Sequence, residues 1–235
     1  MHRFYAPDIM ETLILPEEES GHCVRVLRLK EGDEIEVVDG TGKCLRCRIT
    51  LAHHKRCAVE VVEVSEQLPH WGKSIVVAIA PTKNLDRMEW MVEKCTEMGV
   101  DRIVPLRCRY SERKELKRER LNKIAVSAMK QSLKCTLPQI DEMTPISEVI
   151  GMPFDGRKYI AYCDPSVPRL LFAKEYDPDS NALIMIGPEG DFCPEEIKAA
   201  IDAGFLPISL GDSRLRTETA AVMACAMCHT AKQMK

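Results

Sequence analysis

The sequence predicts an α/β protein that begins with a small β-barrel, and three observations predict it. Residues 1–70 carry short runs in which apolar and polar residues alternate, the period of strands with one buried face. From about residue 73, continuous apolar runs take turns with segments of helical spacing, the pattern of a mostly parallel sheet covered on both faces. Between them, Leu68-Pro69-His70-Trp71-Gly72 breaks both patterns and marks a linker. Two domains are therefore expected, 1–70 and 73–235.

In the first, Glu34-Ile35-Glu36-Val37-Val38 alternates, Asp39-Gly40-Thr41-Gly42 turns, residues 45–51 run on, and residues 58–64 alternate again. In the second, residues 74–80 read as strand, and Leu85, Met88, Met91, Val92 and Cys95 recur at helical spacing. Residues 102–106 read as strand and 117–133 as a basic helix. Strands follow at 158–162, 183–186 and 206–210, with a helix at 195–203 between the last two. Ligands of such sheets bind at the carboxyl ends of strands. Gly187-Pro188-Glu189-Gly190 stands at one of these ends, where glycines let the main chain approach a bound group.

Composition narrows the classes. With 45% hydrophobic and 29% charged residues, no stretch approaches the roughly 18 apolar residues of a membrane span. Met1-His2-Arg3-Phe4-Tyr5 lacks the apolar run of a signal peptide, so a cytoplasmic address is expected. The eleven cysteines are odd in number and many sit in apolar contexts, which favours reduced thiols. Cys44, Cys47, His53, His54 and Cys57 include zinc-binding residue types. A strand through Lys43–Ile49, however, sends the Cys44 and Cys47 thiols to opposite faces, and no metal is assigned. Cys225 and Cys228 lie among Ala and Met on a helix and read as core. Net charge is −3, yet residues 102–134 carry a local basic excess of eight. Such a stretch is either a solvated helical face or a phosphate-contacting surface.

The last strand runs into Leu210-Gly211-Asp212-Ser213-Arg214-Leu215-Arg216-Thr217-Glu218-Thr219. Thr217 reads as a helix N-cap, and Glu218 places a carboxylate in the first turn. Ala220, Ala221, Ala224 and Ala226 permit close backbone approach to a partner within the chain or across a dimer. Taken alone, Arg216 and Glu218 are more often a surface ion pair than catalysts. No Gly-x-Gly-x-x-Gly follows a strand and no Gly-Lys-Ser/Thr loop occurs, so a standard dinucleotide or nucleoside triphosphate is not indicated.

The segments Ile186-Gly187-Pro188-Glu189-Gly190 and Leu210-Gly211 through Leu215-Arg216-Thr217-Glu218-Thr219-Ala220 resemble the bacterial 16S ribosomal RNA uridine-N3-methyltransferases, a branch of the knotted SPOUT methyltransferases. The resemblance spans nearly the whole chain. It includes His2-Arg3-Phe4, His22 with Arg25-Val26-Leu27-Arg28, Lys83 through Lys94-x-x-Glu97-Met98-Gly99-Val100, Gln131-Ser132 and Pro138. Three places depart from the pattern: Asp191 stands where a second glycine is usual, Ser213-Arg214 replaces a basic-then-aliphatic pair, and Lys134 replaces an arginine.

The resemblance implies a PUA-like barrel, an α/β SPOUT methyltransferase domain with a C-terminal trefoil knot, a homodimer, and S-adenosylmethionine as methyl donor. It implies that Ile186, Gly187, Pro188, Glu189, Gly190, Leu210, Gly211, Leu215, Thr217 and Ala220 line the cofactor pocket. The substrate it implies is 16S rRNA in the assembled small ribosomal subunit. On that basis Arg216 and Glu218 are the catalytic candidates: Arg216 to steady charge on a uracil carbonyl oxygen, Glu218 to orient Arg216 or accept the N3 proton. Arg3, His22, Arg25 and Arg28 in the barrel and Arg109, Arg113 and Lys114 beyond it are the RNA-binding candidates. Two other classes stay open, a noncatalytic RNA-binding or ribosome-assembly protein and an unrelated α/β enzyme using a nucleotide.

Overall fold

The structure, a computed structural model, describes residues 1–163 and 168–234. The chain divides into two compact units, Met1–His70 with Val126–Leu137, and Trp71–Ala125 with Pro138–Lys235.

The first unit contains β1 (Arg3–Tyr5), α1 (Ile9–Thr12), α2 (Glu17–Gly21), a π-helical turn (His22–Val26), β2 (Glu34–Val38), β3 (Lys43–Leu51) and β4 (Ala58–Glu66). The four strands form one sheet in sequence order. β1 runs parallel to β2, whereas β2, β3 and β4 pair antiparallel. Ile14 bridges Ala58 on the outer edge of β4, so the chain after β1 passes from one sheet edge to the other around a single core. That core holds Phe4, Ile9, Ile35, Val37, Leu45, Cys47, Ile49 and Val59. The alternation of β3 sends Leu45, Cys47 and Ile49 inward, while Cys44 packs with Val38, Met129 and Cys135 on the other side, as a period of two requires. The β2–β3 turn uses Gly40 and Gly42 at φ 85° and 114°. Asp39 fixes it by accepting from the Thr41 N–H and hydroxyl, both at 2.8 Å.

A boundary near residue 70 does not anticipate that Val126–Leu137 groups with this unit. The segment is the end of a helix running Arg118–Gln131 plus the residues after it. Leu137 N–H donates to Gly40 O at 2.9 Å and Gly42 N–H to Cys135 O at 3.0 Å. Lys130 ion-pairs with Glu19.

The second unit contains β5 (Ile75–Ile79), α3 (Leu85–Met98), β6 (Arg102–Arg107), the part of α4 (Arg118–Gln131) up to Ala125, β7 (Gln139–Ile140), β8 (Thr144–Pro145) and α5 (Ile146–Gly151). It is completed by β9 (Arg157–Ala161), β10 (Leu170–Leu171), α6 (Phe172–Glu175), β11 (Ala182–Ile186), α7 (Pro194–Asp202), β12 (Leu206–Ser209) and α8 (Thr217–Gln233). Its eight-stranded sheet runs β10-β12-β9-β11-β5-β6-β7, with β8 also on β6, and every pairing is parallel. β5 and β11 are buried at every position, which is why both read as unbroken apolar runs.

α3 starts at Asn84, whose side chain accepts from the Asp86 N–H at 2.9 Å, a cap worth about 1 kcal/mol. It buries Met88, Met91, Val92 and Cys95 and stops at Gly99, φ 120°. A side chain there would meet the Trp71 ring at 2.4 Å, so only glycine admits both the backbone and the indole. α8 packs on α3, β5, β11 and α6, burying Ala221, Ala224, Cys225 and Cys228. Ala221 and Ala224 thus find their tight partner within the chain, while Ala220 and Ala226 are only half-buried. All eleven cysteines are free thiols. Among the described residues no helix is long and apolar enough to cross a membrane.

Candidate active site

The buried strand β11 ends in a closed turn. Asp191 N–H donates to Pro188 O at 2.9 Å, and Asp191 itself is left-handed, φ 66°. Glycine would take that conformation at least cost; aspartate tolerates it when its carboxylate bonds locally. Here Oδ1 accepts from the Phe192 N–H at 2.9 Å and Oδ2 from the Cys163 N–H at 2.8 Å. The residue thus ties the turn to the end of β9, and its departure from glycine has a structural return. Gly187 is needed for closeness: a Cβ there would lie 3.1–3.3 Å from Phe192 atoms. Glu189 accepts from the Lys83 N–H at 3.0 Å, joining the turn to the loop after β5.

The loop after β12 is built differently. Ser209 hydroxyl donates to Gly211 O at 2.9 Å, and Gly211 adopts φ 127°. Residues 211–214 and Arg216 are exposed. The helix N-cap is Arg216, φ −69° and ψ 154°, and Thr217 is the first helical residue. The expected Thr217 cap is corrected by one position: Arg216 O accepts the Ala220 N–H at 2.8 Å, so Arg216 already begins the helical ladder. Thr217 and Glu218 are both buried.

Both loops line one cavity of about 340 Å³, within the range of small-molecule sites. Ile186, Gly187, Pro188 and Glu189 contribute from the β11 side; Leu210, Gly211, Leu215, Thr217 and Ala220 contribute from the β12 side. Gly190 faces away, its missing side chain pointing toward Tyr110 at 3.4 Å. Arg216 and Glu218 also line the cavity. They do not form the pair their spacing suggested. The cation facing Glu218 is Arg87 in the first turn of α3, Nε to Oε1 3.7 Å. Arg87, Tyr162, Cys163 and Arg169 line the cavity too; the last three lie outside every motif, and Arg87 lies inside the Lys83–Lys94 segment without a site role having been read for it. The available signal was positional, since Tyr162 and Cys163 follow β9 and Arg87 follows the β5 loop, both at carboxyl strand ends. Arg169 Nη1 donates to Tyr162 O at 2.6 Å. Beside the site, burial pushes the Cys108 thiol up to about 12 and the Cys193 thiol above its ordinary 9.0. Both stay protonated near neutrality and are poor nucleophiles.

The RNA-binding candidates separate into two kinds. Arg3 is turned inward: Nη2 lies 3.0 Å from Glu36 Oε2 and Nη1 donates to Lys134 O at 3.3 Å, with the side chain 11% exposed. Its guanidinium holds β1 to β2, which corrects the expectation of an outward contact. His22, Arg25 and Arg28 are exposed on and after the π-helical turn, with His22 edge-on to Phe4. In the second unit, Arg109 pairs with Glu195 at 3.4 Å and lies 5.9 Å over the exposed Tyr110 ring. Arg113 donates to Lys83 O at 2.7 Å, and Lys114 is exposed.

Comparison with known proteins matches residues 69–229 to the RNA methyltransferase domain and residues 15–62 to the RNA methyltransferase PUA domain. A solved structure described as a probable rRNA-methyltransferase from Porphyromonas gingivalis superposes with a TM-score of 0.95 at 46% identity, covering 100% of this chain and 99% of that one. The ribosomal RNA small subunit methyltransferase E from Neisseria gonorrhoeae, solved bound to S-adenosyl methionine, superposes at 0.86 with 29% identity over 98% and 97%. The protein of the same name from Synechocystis is 30% identical over 93% of this chain and 73% of its own length. With a PUA-like first unit, a parallel-sheet second unit and a cavity at the strand ends between its last two loops, the chain belongs to the RNA methyltransferase family, in the group of the small-subunit ribosomal RNA methyltransferases E.

Proposed function

We propose that this enzyme methylates N3 of one uridine of 16S rRNA in the assembled small ribosomal subunit, with S-adenosylmethionine as donor. The observation that carries the reading is the convergence of both strand-end loops and the start of α8 on one cavity. The residues present fit the donor. Ile186, Leu210 and Leu215 offer apolar walls to an adenine ring, the turn at Gly187 brings main chain close, and Glu189 and Asp191 set carboxylates beside a cationic ligand. When bound, the cofactor supplies an electrophilic methyl group carried on a sulfonium.

The chain's own groups position and polarise. Arg216, exposed at the rim, places a guanidinium where a uracil carbonyl oxygen gains negative charge as N3 loses its proton. Holding N3 in line with the methyl carbon removes much of the entropic barrier. A ribosomal base reaches a cavity of this kind by leaving its stack. Arg109, Arg113 and Lys114 in the second unit, and His22, Arg25 and Arg28 in the first, are the phosphate contacts of this reading. A homodimer and a trefoil knot near the C-terminus belong to the same reading. Exposed Trp90 and Met223 on α3 and α8 favour the dimer, and the placement of α8 on β5 and β11, beyond β9 from β12, favours the knot. A cytoplasmic location follows from the substrate.

The test is incubation with S-adenosylmethionine and small subunits from cells lacking this modification, followed by nucleoside mass spectrometry. Appearance of 3-methyluridine at one site is expected. Its absence alongside an active control enzyme would refute the reading. Replacing Arg109, Arg113 and Lys114 together is expected to weaken subunit binding and to flatten its salt dependence by up to about three counterions.

A further inference from the structure

Glu218 stands apart from the other carboxylates of the cavity. Its side chain is 8% exposed, it sits in the first turn of α8, and Oε2 is buried without a hydrogen-bond partner among the described residues. The Oε1 atom faces the Arg87 guanidinium at 3.7 Å. Both Asp191 oxygens and Glu189 Oε1, by contrast, accept from backbone N–H groups. A buried carboxylate oxygen left without a donor is unfavourable, because it has given up its water without replacement. In a cavity wall, that cost is removed when a ligand brings a donor.

Resting on the function proposed above, we propose that Glu218 Oε2 takes the imide N–H of the acceptor uracil, and that Arg87 is the positioning residue that holds the carboxylate for it. The step balances within the site: the N3–H bond breaks, an O–H bond forms on Glu218, and the bonding pair stays on N3 as the nucleophilic lone pair. The proton then passes from Glu218 to water. Arg216 is left to its rim position and to the carbonyl oxygen, a division of labour that an Arg216–Glu218 pair would not permit.

The contact is tested without turnover by isotope-edited infrared spectroscopy of the Glu218 carboxyl group. The protein is loaded with S-adenosylhomocysteine, and uridine or 3-methyluridine is added. A band shift with uridine and none with 3-methyluridine, which lacks the N–H, is expected. A shift with both, or with neither, overturns the proposal. Arg87→Lys supplies the band assignment if Glu218→Gln does not fold.

In single-turnover methylation, Glu218→Gln should slow the step by roughly 100-fold. Arg87→Gln should slow it by about 10-fold with Arg87→Lys restoring most of the rate, since a 3.7 Å contact asks for charge rather than a fork. S-adenosylhomocysteine affinity, measured by calorimetry, should stay within about threefold in all variants. A loss of that affinity with the saturated rate unchanged overturns the proposal and assigns Glu218 to the amino group of the adenosyl ligand. A uridine-dependent shift in a protein that methylates no subunit sustains the contact and refutes the reaction, so the two failures are distinct.

Discussion

The two loops that line the cavity solve the same problem in opposite ways. After β11 the chain closes on itself: the turn is hydrogen-bonded, Asp191 ties it to β9, Glu189 ties it to the loop after β5, and Gly187 lies against Phe192. After β12 the chain stays open, with residues 211–214 and Arg216 exposed and one serine bracing the bend. The difference separates a tied wall from an exposed one. A tied first side sets where a ligand lies, and an exposed second side can present charge to it, because a surface arginine stays hydrated until a ligand engages it.

The largest effect should therefore come from the open side and leave stability alone. Arg216→Ala is expected to lower the methylation rate by about 100-fold, with thermal stability and S-adenosylhomocysteine affinity near wild type. Unchanged turnover would remove Arg216 from the chemistry and, with it, the functional half of the contrast.

On the closed side the effect should be structural. Asp191→Ala removes two hydrogen bonds to backbone N–H groups and leaves an alanine at φ 66°, a loss of about 2 kcal/mol readable by urea unfolding. Asp191→Gly relieves the backbone and should recover about half of it. Equal losses in the two variants would show that the tether, not the φ angle, governs the turn.

Gly211→Ala probes the open loop by the same measurement. A Cβ at that site meets nothing within 4 Å, but φ is 127°, so only backbone strain of about 1 kcal/mol is expected. A larger loss would mean the loop is less free than its exposure implies.

The smallest effect lies outside both loops and calibrates them. Burial pushes the Asp101 carboxyl above its ordinary 3.8, partly opposed by the N–H donors of Ile75 and Trp71. A carboxyl raised in the folded state contributes stability that is complete below 3.8 and is lost as pH rises through the folded value. The wild type should accordingly lose stability relative to Asp101→Asn as pH rises above 3.8, seen in unfolding midpoints across a pH series. A difference that is flat with pH would remove burial as the cause.

By itself the sequence determined the alternation of strands and helices and the two loops that line the cavity. Those features are written in local rules: β5 and β11 are apolar because both faces are covered, β2 and β3 alternate because one face is, and glycine marks where the backbone must turn or approach closely. Only tertiary structure decided which charges meet. Arg87 reaches Glu218 from another helix, Arg3 turns inward to Glu36, and Val126–Leu137 joins the first unit through Met129, Cys135 and backbone bonds to the Gly40–Gly42 turn. None of these has a period or a spacing, because side-chain pairing across more than 30 positions depends on how the chain returns through space, and sequence neighbours carry no record of that path.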